Sequence, residues 1–335
     1  ALALVLAAAQ CGPGGDRPYP PGETTCPPGP ESGSRGGNGS PAGEACDAYG
    51  ASATYSETVS GSTRTITASG CPNHYSVCTG KPGVPVCGGV GEEGTASEAT
   101  EQSHVVRVMA RPVLASRRTE TRCTLGFVGV AVNGVSLYGG AVDGRCTQLD
   151  VTDDTSEWTS FDYCSGHAQQ QGDYHYHFPP SCLLDQIGDL PGGHSPQVGW
   201  ALDGFPVYGP KGPGGAAVRA CSSAGAEQAH CQDACGGVAG ELPGVDGYKY
   251  RYYLTGATSD LQSLPSDPRP TEADIPFTFD CLVGCTLEAF ELEACSGESG
   301  VVDGFVAEAL DGVTAKYGGP SGGGGGGGEG GDNGA

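Results

Sequence analysis

The sequence predicts a mainly β, loop-rich domain that is stabilised by disulfides and contains little helix. It consists of two tandem β repeats of about 70 residues related by a pseudo-twofold axis. Three observations lead to this prediction. Short β-type runs alternate with turn residues, four sequence blocks recur in the same order, and the 335 residues include 16 cysteines. An even cysteine count of this size is typical of a disulfide framework in an oxidising compartment.

The β-type runs are rich in β-branched, aliphatic and aromatic residues, and each is bounded by Gly, Asn, Asp or Pro. They lie at Val105–Val113, Leu125–Val132, Leu137–Tyr138, Tyr174–Phe178, Val198–Leu202 and Tyr248–Leu254. Helical patterns are short and occur near the end of the chain, at Leu287–Ala294 and Val302–Ala309. Strands joined by turns therefore dominate the predicted fold.

Four blocks occur twice, which indicates a duplication with copies at about 125–195 and 196–285. Ala131–Gly139 recurs at Ala201–Gly209, Asp162–Gly166 at Asp233–Gly237, Tyr174–His177 at Tyr248–Arg251, and Phe178–Leu184 at Phe277–Val283. The third block also fits two residues later, at Tyr250–Tyr253. The repeat suggests the disulfides Cys164 with Cys182 and Cys235 with Cys281, although other connectivities stay open.

Composition divides the chain into five segments. Residues 1–10 look like the hydrophobic end of a secretory signal peptide, with a frayed Ala-rich terminus as the alternative. Residues 11–55 are predicted to be a Gly/Pro-rich disordered linker, and residues 318–335 a Gly-rich disordered tail, because neither can form a core. The duplicated domain occupies residues 56–295 and a short helix falls within 296–317. The apolar start and the cysteines together predict a secreted, extracellular protein.

The charge balance excludes two classes of partner. There are 39 acidic residues against 16 basic ones, which gives a formal net charge of −23. Binding to nucleic acid needs clustered Lys and Arg, so this class is excluded. No apolar run reaches the roughly 20 residues of a membrane helix, so membrane insertion is not expected. The remaining partner classes are an extracellular glycan, another protein and a small molecule.

The histidines form the strongest functional pattern. Of the seven in the chain, His167, His175 and His177 fall within 11 residues, and His194 follows. Positions two apart on a strand project from the same face, so His175 and His177 are expected side by side. A third imidazole from a neighbouring loop, His167 or His194, completes a three-histidine site of the kind that binds Zn or Cu.

The same histidines have a structural interpretation, in which a half-buried strand uses its imidazoles for hydrogen bonds. The second repeat helps to weigh the two. There the pair becomes Lys249 and Arg251, or Arg251 and Tyr253 in the later register. The strand therefore does not itself require histidine, which favours a functional role in the first copy.

Three stretches resemble the YHYH family, which is named for the motif seen here as Tyr174–His177. The others are Gly193–Pro210, which reads GHSPQVGWALDGFPVYGP, and Gly70–His74. The resemblance covers roughly residues 60 to 285. It implies a secreted or envelope-associated domain, adds His74 to the metal-ligand candidates, and implies no reaction. The chain departs from the family in its many cysteines.

Three functional hypotheses follow. The first is a metal-binding domain; if the ion keeps an open position, bound water can be activated for hydrolysis with Asp203 or Asp173 as acid or base. The second is a non-catalytic binding or structural module for a glycan or protein partner, with the histidines in structural hydrogen bonds. The third is a metal-independent hydrolase that uses Ser195.

Overall fold

The computed structural model describes most of the region between residues 43 and 307. The described residues are 43–47, 50–74, 98–149, 161–162, 164–169, 171–220, 230–255, 278–288, 295 and 297–307. The expected leader at 1–10, most of the expected linker, the predicted helix at Leu287–Ala294 beyond its first two residues, and the tail at 318–335 lie outside them.

The described chain is mainly β, as predicted. Its strands are β1 (Tyr55–Ser60), β2 (Thr63–Ala68), β3 (His104–Met109), β4 (Leu114–Glu120), β5 (Phe127–Ala131), β6 (Ser136–Tyr138), β7 (Gly166–Ala168), β8 (Tyr174–Tyr176), β9 (Gln197–Ala201), β10 (Pro206–Tyr208), β11 (Arg219–Ala220), β12 (Cys231–Gln232), β13 (Gly237–Ala239), β14 (Tyr250–Tyr253) and β15 (Cys281–Gly284). The helix α1 (Ser181–Ile187), a 3-10 turn at Pro213–Gly215, and the helical residues Leu287 and Glu288, the first two of the predicted helix at Leu287–Ala294, complete the elements within these ranges.

The central sheet has eight strands in the order β13-β14-β10-β9-β5-β6-β8-β7. Strands β5 and β9 pair antiparallel at its middle. On one side β6 runs parallel to β8, and on the other β10 runs parallel to β14. The edge strands β7 and β13 are antiparallel to their neighbours. The strand arrangement therefore reads the same outward from the β5–β9 pair in both directions.

The strand registers decide which residues of the two halves occupy matching places. Leu137 pairs with Tyr176 in one half, and Val207 pairs with Tyr252 in the other. Arg251 thus stands where His175 stands, which matches the later of the two registers considered for the repeat. Both halves also use the same turn, in which Gly134 and Gly204 have φ of 88° and 87°, a backbone conformation that favours glycine.

Five disulfides pin the loops around this sheet within the described residues: Cys46–Cys71, Cys123–Cys146, Cys164–Cys182, Cys235–Cys281 and Cys285–Cys295. The two pairs that the repeat suggested are among them. Cys164–Cys182 joins the turn before the edge strand β7 to helix α1, which follows β8. Cys235–Cys281 joins the turn before the edge strand β13 to strand β15, which follows β14. The edge hairpins are thereby tied to the body of the domain.

Helix α1 does not follow from the sequence patterns. It is only seven residues long, and its signals are local: Pro180 precedes it and Gly188 ends it with φ of 83°. Cys182 lies in α1, whereas the aligned Cys281 begins strand β15, which pairs with β4. The two halves therefore differ after their matching parallel strands, because β4 offers a pairing edge to only one of them.

Residues 43–47 precede the expected domain boundary at residue 56 and are among the described residues. The Cys46–Cys71 disulfide and backbone hydrogen bonds from Cys46 to Ala99 and from Glu101 to Glu44 hold residues 43–47 in place. At the other end, residues 297–307 form isolated bridges through Ser299 and Val301 and contain no helix. The helix predicted at Val302–Ala309 is therefore wrong for residues 302–307.

Strands β1, β2 and β3 form a separate antiparallel sheet that is joined to the central one by a buried ion pair. Arg64 on β2 contacts Glu57 on β1, and the two side chains are 0% and 1% exposed. The Arg64 guanidinium lies 3.6 Å from the centre of the Trp200 ring, and Trp200 Nε1 donates to Glu57 (3.1 Å). Trp200 belongs to β9, so the pair links both sheets.

No helix within the described residues has the length and hydrophobicity needed to cross a membrane.

The buried ion pair yields a stability prediction. Arg64→Met leaves the Glu57 carboxylate buried without its cation, which typically costs about 3–5 kcal/mol. We expect Glu57→Gln combined with Arg64→Met to recover most of this loss, because Gln keeps an acceptor for Trp200. Denaturant unfolding of both variants measures the difference. Equal destabilisation of the single and double variants would show that the charge pair is not what links the sheets.

A second prediction concerns alkaline pH. Burial, followed by the nearby carboxylates of Asp162, Asp233 and Asp203, raises the pKa of Tyr174, Tyr250 and Tyr252. Unfolded tyrosines ionise near pH 10, so the unfolded state loses protons first as the pH rises. The free energy of unfolding should therefore fall above pH 10, by at most about 1.4 kcal/mol per pH unit for each such tyrosine.

Unfolding curves measured between pH 8 and 11 test this alkaline loss. Tyr250→Phe serves as the comparison, since it removes one titrating group and should flatten the slope. A free energy of unfolding that does not change above pH 10 contradicts the prediction.

Candidate functional site

The β7–β8 hairpin brings three histidines to one point. His167 on β7 lies directly opposite His175 on β8, and His177 follows two residues later on the same face. The Nε2 atom of His175 is 2.9 Å from Nε2 of His167 and 3.0 Å from Nε2 of His177. The coordinating atoms of all three lie within 4.8 Å of one another. We call these three residues the histidine cluster.

The two-residue period of the strand predicted this face correctly. Tyr174 and Tyr176 point the other way, where Tyr174 donates to Asp162 (2.6 Å) and Tyr176 contacts His74 (2.6 Å). The histidines and the tyrosines of the motif therefore have different roles on opposite faces of β8. The tyrosines anchor the strand and the histidines converge beyond it.

Backbone carbonyls set the orientation of two of the rings. Nδ1 of His175 lies 2.9 Å from the main-chain oxygen of Asp173, and Nδ1 of His177 lies 2.8 Å from that of Gly139. A carbonyl oxygen can only accept, so each Nδ1 carries the proton and each Nε2 presents a lone pair. The lone pairs of His175 and His177 thus face each other at 3.0 Å. Two acceptors at this distance repel unless a cation lies between them.

Burial disfavours a proton on His175. His175 and its neighbours are buried, with exposures of 6%, 2% and 3% for His167, His175 and His177. Burial, followed by the charges that His167 and His177 would carry, lowers the pKa of His175 well below its usual value. The imidazole of His175 is therefore neutral at physiological pH, and its nitrogen is available as a ligand.

Aromatic rings enclose the cluster. The ring of Tyr138 stacks on His175 with 3.8 Å between centroids, and Phe161 stacks on His167 at 4.3 Å. Both rings also meet His177 edge-on. These contacts fix the ring planes, which is a form of preorganisation that metal sites require.

The hairpin itself is held by an aspartate that we call the Asp162 clasp. One carboxylate oxygen of Asp162 accepts from the backbone of Cys164 (2.8 Å) and Gly166 (3.1 Å), and the other accepts from the Tyr174 hydroxyl (2.6 Å). A side chain at Gly166 would overlap the Tyr174 ring, so the position requires glycine. The clasp thereby sets the approach of β7 to β8 and the spacing of His167 and His175.

His194 and His74 lie away from the cluster. His194 Nε2 bonds the Tyr253 hydroxyl (2.7 Å) and its Nδ1 bonds the main-chain oxygen of Ser195 (2.6 Å), which places it in the other half of the sheet. His74 lies on the tyrosine face of β8, close to Cys164 and Cys182. Those two sulfurs are joined as a disulfide, so they offer no thiolate for a metal site shared with His74.

The two aspartates named from the sequence have different surroundings. Asp203 is fully buried, and its carboxylate accepts from the Tyr252 hydroxyl (2.7 Å) and the backbone of Gly284 (2.8 Å) and Phe205 (3.2 Å). Burial raises its pKa. None of these partners belongs to the cluster. Asp173 is adjacent to the cluster, because its main-chain oxygen holds His175.

Ser195 does not assemble a hydrolytic triad. Its side chain is 1% exposed and its hydroxyl accepts from the backbone of Lys211 (3.0 Å). The neighbouring His194 contacts the Ser195 main chain and not its hydroxyl.

The matching place in the other half holds an ion pair. Arg251 donates through Nε and Nη2 to both carboxylate oxygens of Asp246, at 2.9 and 3.0 Å. Tyr253 and Val238 stand where His177 and His167 stand. The same scaffold thus carries a buried Arg–Asp pair in one half and three imidazoles in the other.

Sequence reasoning missed three residues around the cluster: Tyr138, Ser136 and His104. Tyr138 carried a signal, since it aligns with Tyr208 in the repeat, and both hydroxyls donate to an aspartate. His104 carried none, because it lies on β3, far along the chain, and reaches Asp173 only in the folded structure (3.3 Å).

Comparison with known proteins agrees with the motifs. Residues 105–232 match the model of the family described as YHYH protein, so the chain contains a YHYH domain. This match includes the histidine cluster and is shorter than the range of about 60 to 285 expected from the motifs. No curated protein and no solved structure matches the chain.

The cluster geometry predicts a specific tautomer. In the metal-free protein at neutral pH, His175 and His177 should both carry the proton on Nδ1, because each donates to a carbonyl oxygen. His175 should also keep the signals of a neutral imidazole as the pH falls below about 6.5, where an unperturbed histidine protonates. Long-range ¹H–¹⁵N correlation spectra report both properties. A proton on Nε2 of either residue contradicts this reading.

Proposed function

Given a YHYH domain at residues 105–232, we propose that the chain binds a transition-metal ion, Zn or Cu, through Nε2 of His167, His175 and His177. The observation that carries the proposal is the convergence of these three nitrogens, two of them fixed as acceptors by backbone carbonyls. Neutral imidazole is a ligand that suits both metals. Nitrogen atoms that bind through Nε2 while Nδ1–H donates to a carbonyl are typical of metal-ligating histidine.

The hydrogen-bonding alternative explains the geometry less well. A structural histidine pairs an N–H with an acceptor, yet His175 and His177 present acceptors to each other at 3.0 Å. A bound cation removes that repulsion and uses all three lone pairs. Ligands 2.0–2.1 Å from a tetrahedral ion lie about 3.3 Å from one another. The His175 nitrogen therefore needs to move away from those of His167 and His177 by only a few tenths of an ångström.

The burial of the cluster favours binding over turnover. Exposures of 2% to 6% and the stacked rings of Tyr138 and Phe161 leave the ligand nitrogens shielded from bulk water. We therefore favour a carrier or structural role for the ion. A hydrolytic role would use Asp173, the aspartate adjacent to the cluster, as acid or base; Asp203 is occupied by its three hydrogen bonds.

The setting of this site is also part of the proposal. Five disulfides among the described residues favour an oxidising compartment, and we propose that the protein is secreted. The mirrored strand order, the shared Gly134 and Gly204 turns and the matching disulfides support an origin by duplication about a pseudo-twofold axis. In that view, the two copies diverged at this position, so that one now has the ion pair and the other has the histidines.

Metal analysis tests the proposed function. Purified wild-type protein incubated with Zn²⁺ or Cu²⁺ and then desalted should retain one ion per chain, and His175→Ala/His177→Ala should retain none. Ligand binding to the folded state alone stabilises it by about 2.7 kcal/mol at a free-ion concentration 100 times Kd, so the wild type should also melt higher with metal.

His194→Gln is the matched control, since it removes an imidazole outside the cluster and keeps a hydrogen-bonding side chain. It should bind metal like the wild type. Equal metal content in the wild type and the double alanine variant would refute the site and would favour the binding or structural module.

A further inference from the structure

A second group of donor atoms lies on the other side of Asp173 from the cluster. His104 Nε2 is 3.3 Å from Asp173 Oδ1 and 3.3 Å from Ser136 Oγ, and Ser136 Oγ is 3.4 Å from Asp173 Oδ1. These atoms come from β3, from β6 and from the residue before β8. We call His104, Ser136 and Asp173 the outer triad.

The outer triad is not a catalytic Ser–His–Asp arrangement. In a catalytic triad the serine and the aspartate contact different ring nitrogens, so that the imidazole relays between them. Here both contact Nε2 of His104. Ser136 is also fully buried, so its hydroxyl cannot meet a substrate.

The spacing of the outer triad suits a cation. N–H···O hydrogen bonds are usually about 2.7–3.2 Å long and O–H···O bonds about 2.5–3.0 Å, and all three separations are slightly longer. They are close to the roughly 3.3 Å between ligands 2.0–2.1 Å from a tetrahedral ion. The side chains of His104 and Asp173 are 19% and 14% exposed, so solvent reaches this group more readily than it reaches the cluster.

Two residues connect the outer triad to the cluster. Asp173 faces His104 with its carboxylate and holds His175 Nδ1 with its main-chain oxygen (2.9 Å). Tyr138 donates to Asp173 Oδ2 (2.8 Å) while its ring stacks on His175. Asp173 and Tyr138 therefore contact both the outer triad and the cluster.

We propose that the outer triad is a second, weaker cation site, through which the metal ion enters and leaves the histidine cluster. The proposal rests on the proposed function, because it needs the cluster to bind the same ion. The outer site is the weaker one, since it offers one imidazole, one carboxylate oxygen and a neutral hydroxyl in place of three imidazoles. Transfer is ligand exchange alone and changes no oxidation state.

The test is kinetic. Stopped-flow mixing measures Zn²⁺ uptake from a chromophoric chelator and Zn²⁺ release to a stronger one, with Cu²⁺ as the ion if the wild type retains only copper. His104→Gln should slow uptake and release by the same factor, about tenfold, which corresponds to about 1.4 kcal/mol of activation free energy. The equilibrium Kd should not change, because an entry site affects both directions equally.

Asp173→Asn provides a second variant that keeps the main-chain oxygen for His175 and an acceptor for Tyr138, and His194→Gln provides the control. Unchanged rates in both outer variants overturn the proposal while leaving the cluster as the binding site. A weaker Kd with faster release and unchanged uptake also overturns it, because it indicates support of the cluster and not entry. A wild-type chain that binds neither ion refutes the proposed function itself.

Discussion

The Asp162 clasp is the interaction on which the site depends. A buried carboxylate accepts two backbone N–H groups of a tight turn with one oxygen and a tyrosine hydroxyl with the other. Charge-assisted bonds of this kind are stronger than neutral ones, and burial strengthens them further. They hold a three-residue edge strand that could not stay paired by its own ladder. Without that pairing, His167 would not face His175, and the three imidazoles would not share one point.

The other half of the sheet repeats the device with different results. Asp233 accepts from Cys235 and Gly237, and Tyr250 donates to it at 2.9 Å. The Cys235–Cys281 disulfide then secures the turn as Cys164–Cys182 does in the first half. Part of the acidic composition therefore has a structural role, since several aspartates accept hydrogen bonds from buried tyrosines. The same backbone arrangement thus accommodates different side chains, an Arg–Asp pair in one half and imidazoles in the other.

Local patterns predicted six of the fifteen strands within the described residues, namely β3, β5, β6, β8, β9 and β14. They also predicted the shared face of His175 and His177, because a period of two is a property of any strand. The repeat pointed to Cys164–Cys182 and Cys235–Cys281, because matched cysteines imply matched geometry. His194 was included as a ligand candidate because it is near the other histidines in the sequence. In the structure it lies in the other half of the sheet, away from the cluster. Contacts that only the tertiary structure creates were beyond the sequence. His104 reaches Asp173 from β3, and matched Cys–Leu segments become helix α1 in one half and strand β15 in the other.

The central claim is that three imidazoles present their Nε2 atoms to one metal ion. A crystal structure of the Zn²⁺- or Cu²⁺-loaded protein, with anomalous diffraction at the absorption edge of the metal, tests it most directly. We expect one strong anomalous peak about 2.0–2.1 Å from Nε2 of His167, His175 and His177. A fully loaded crystal in which these three nitrogens contact only one another or water would contradict the account.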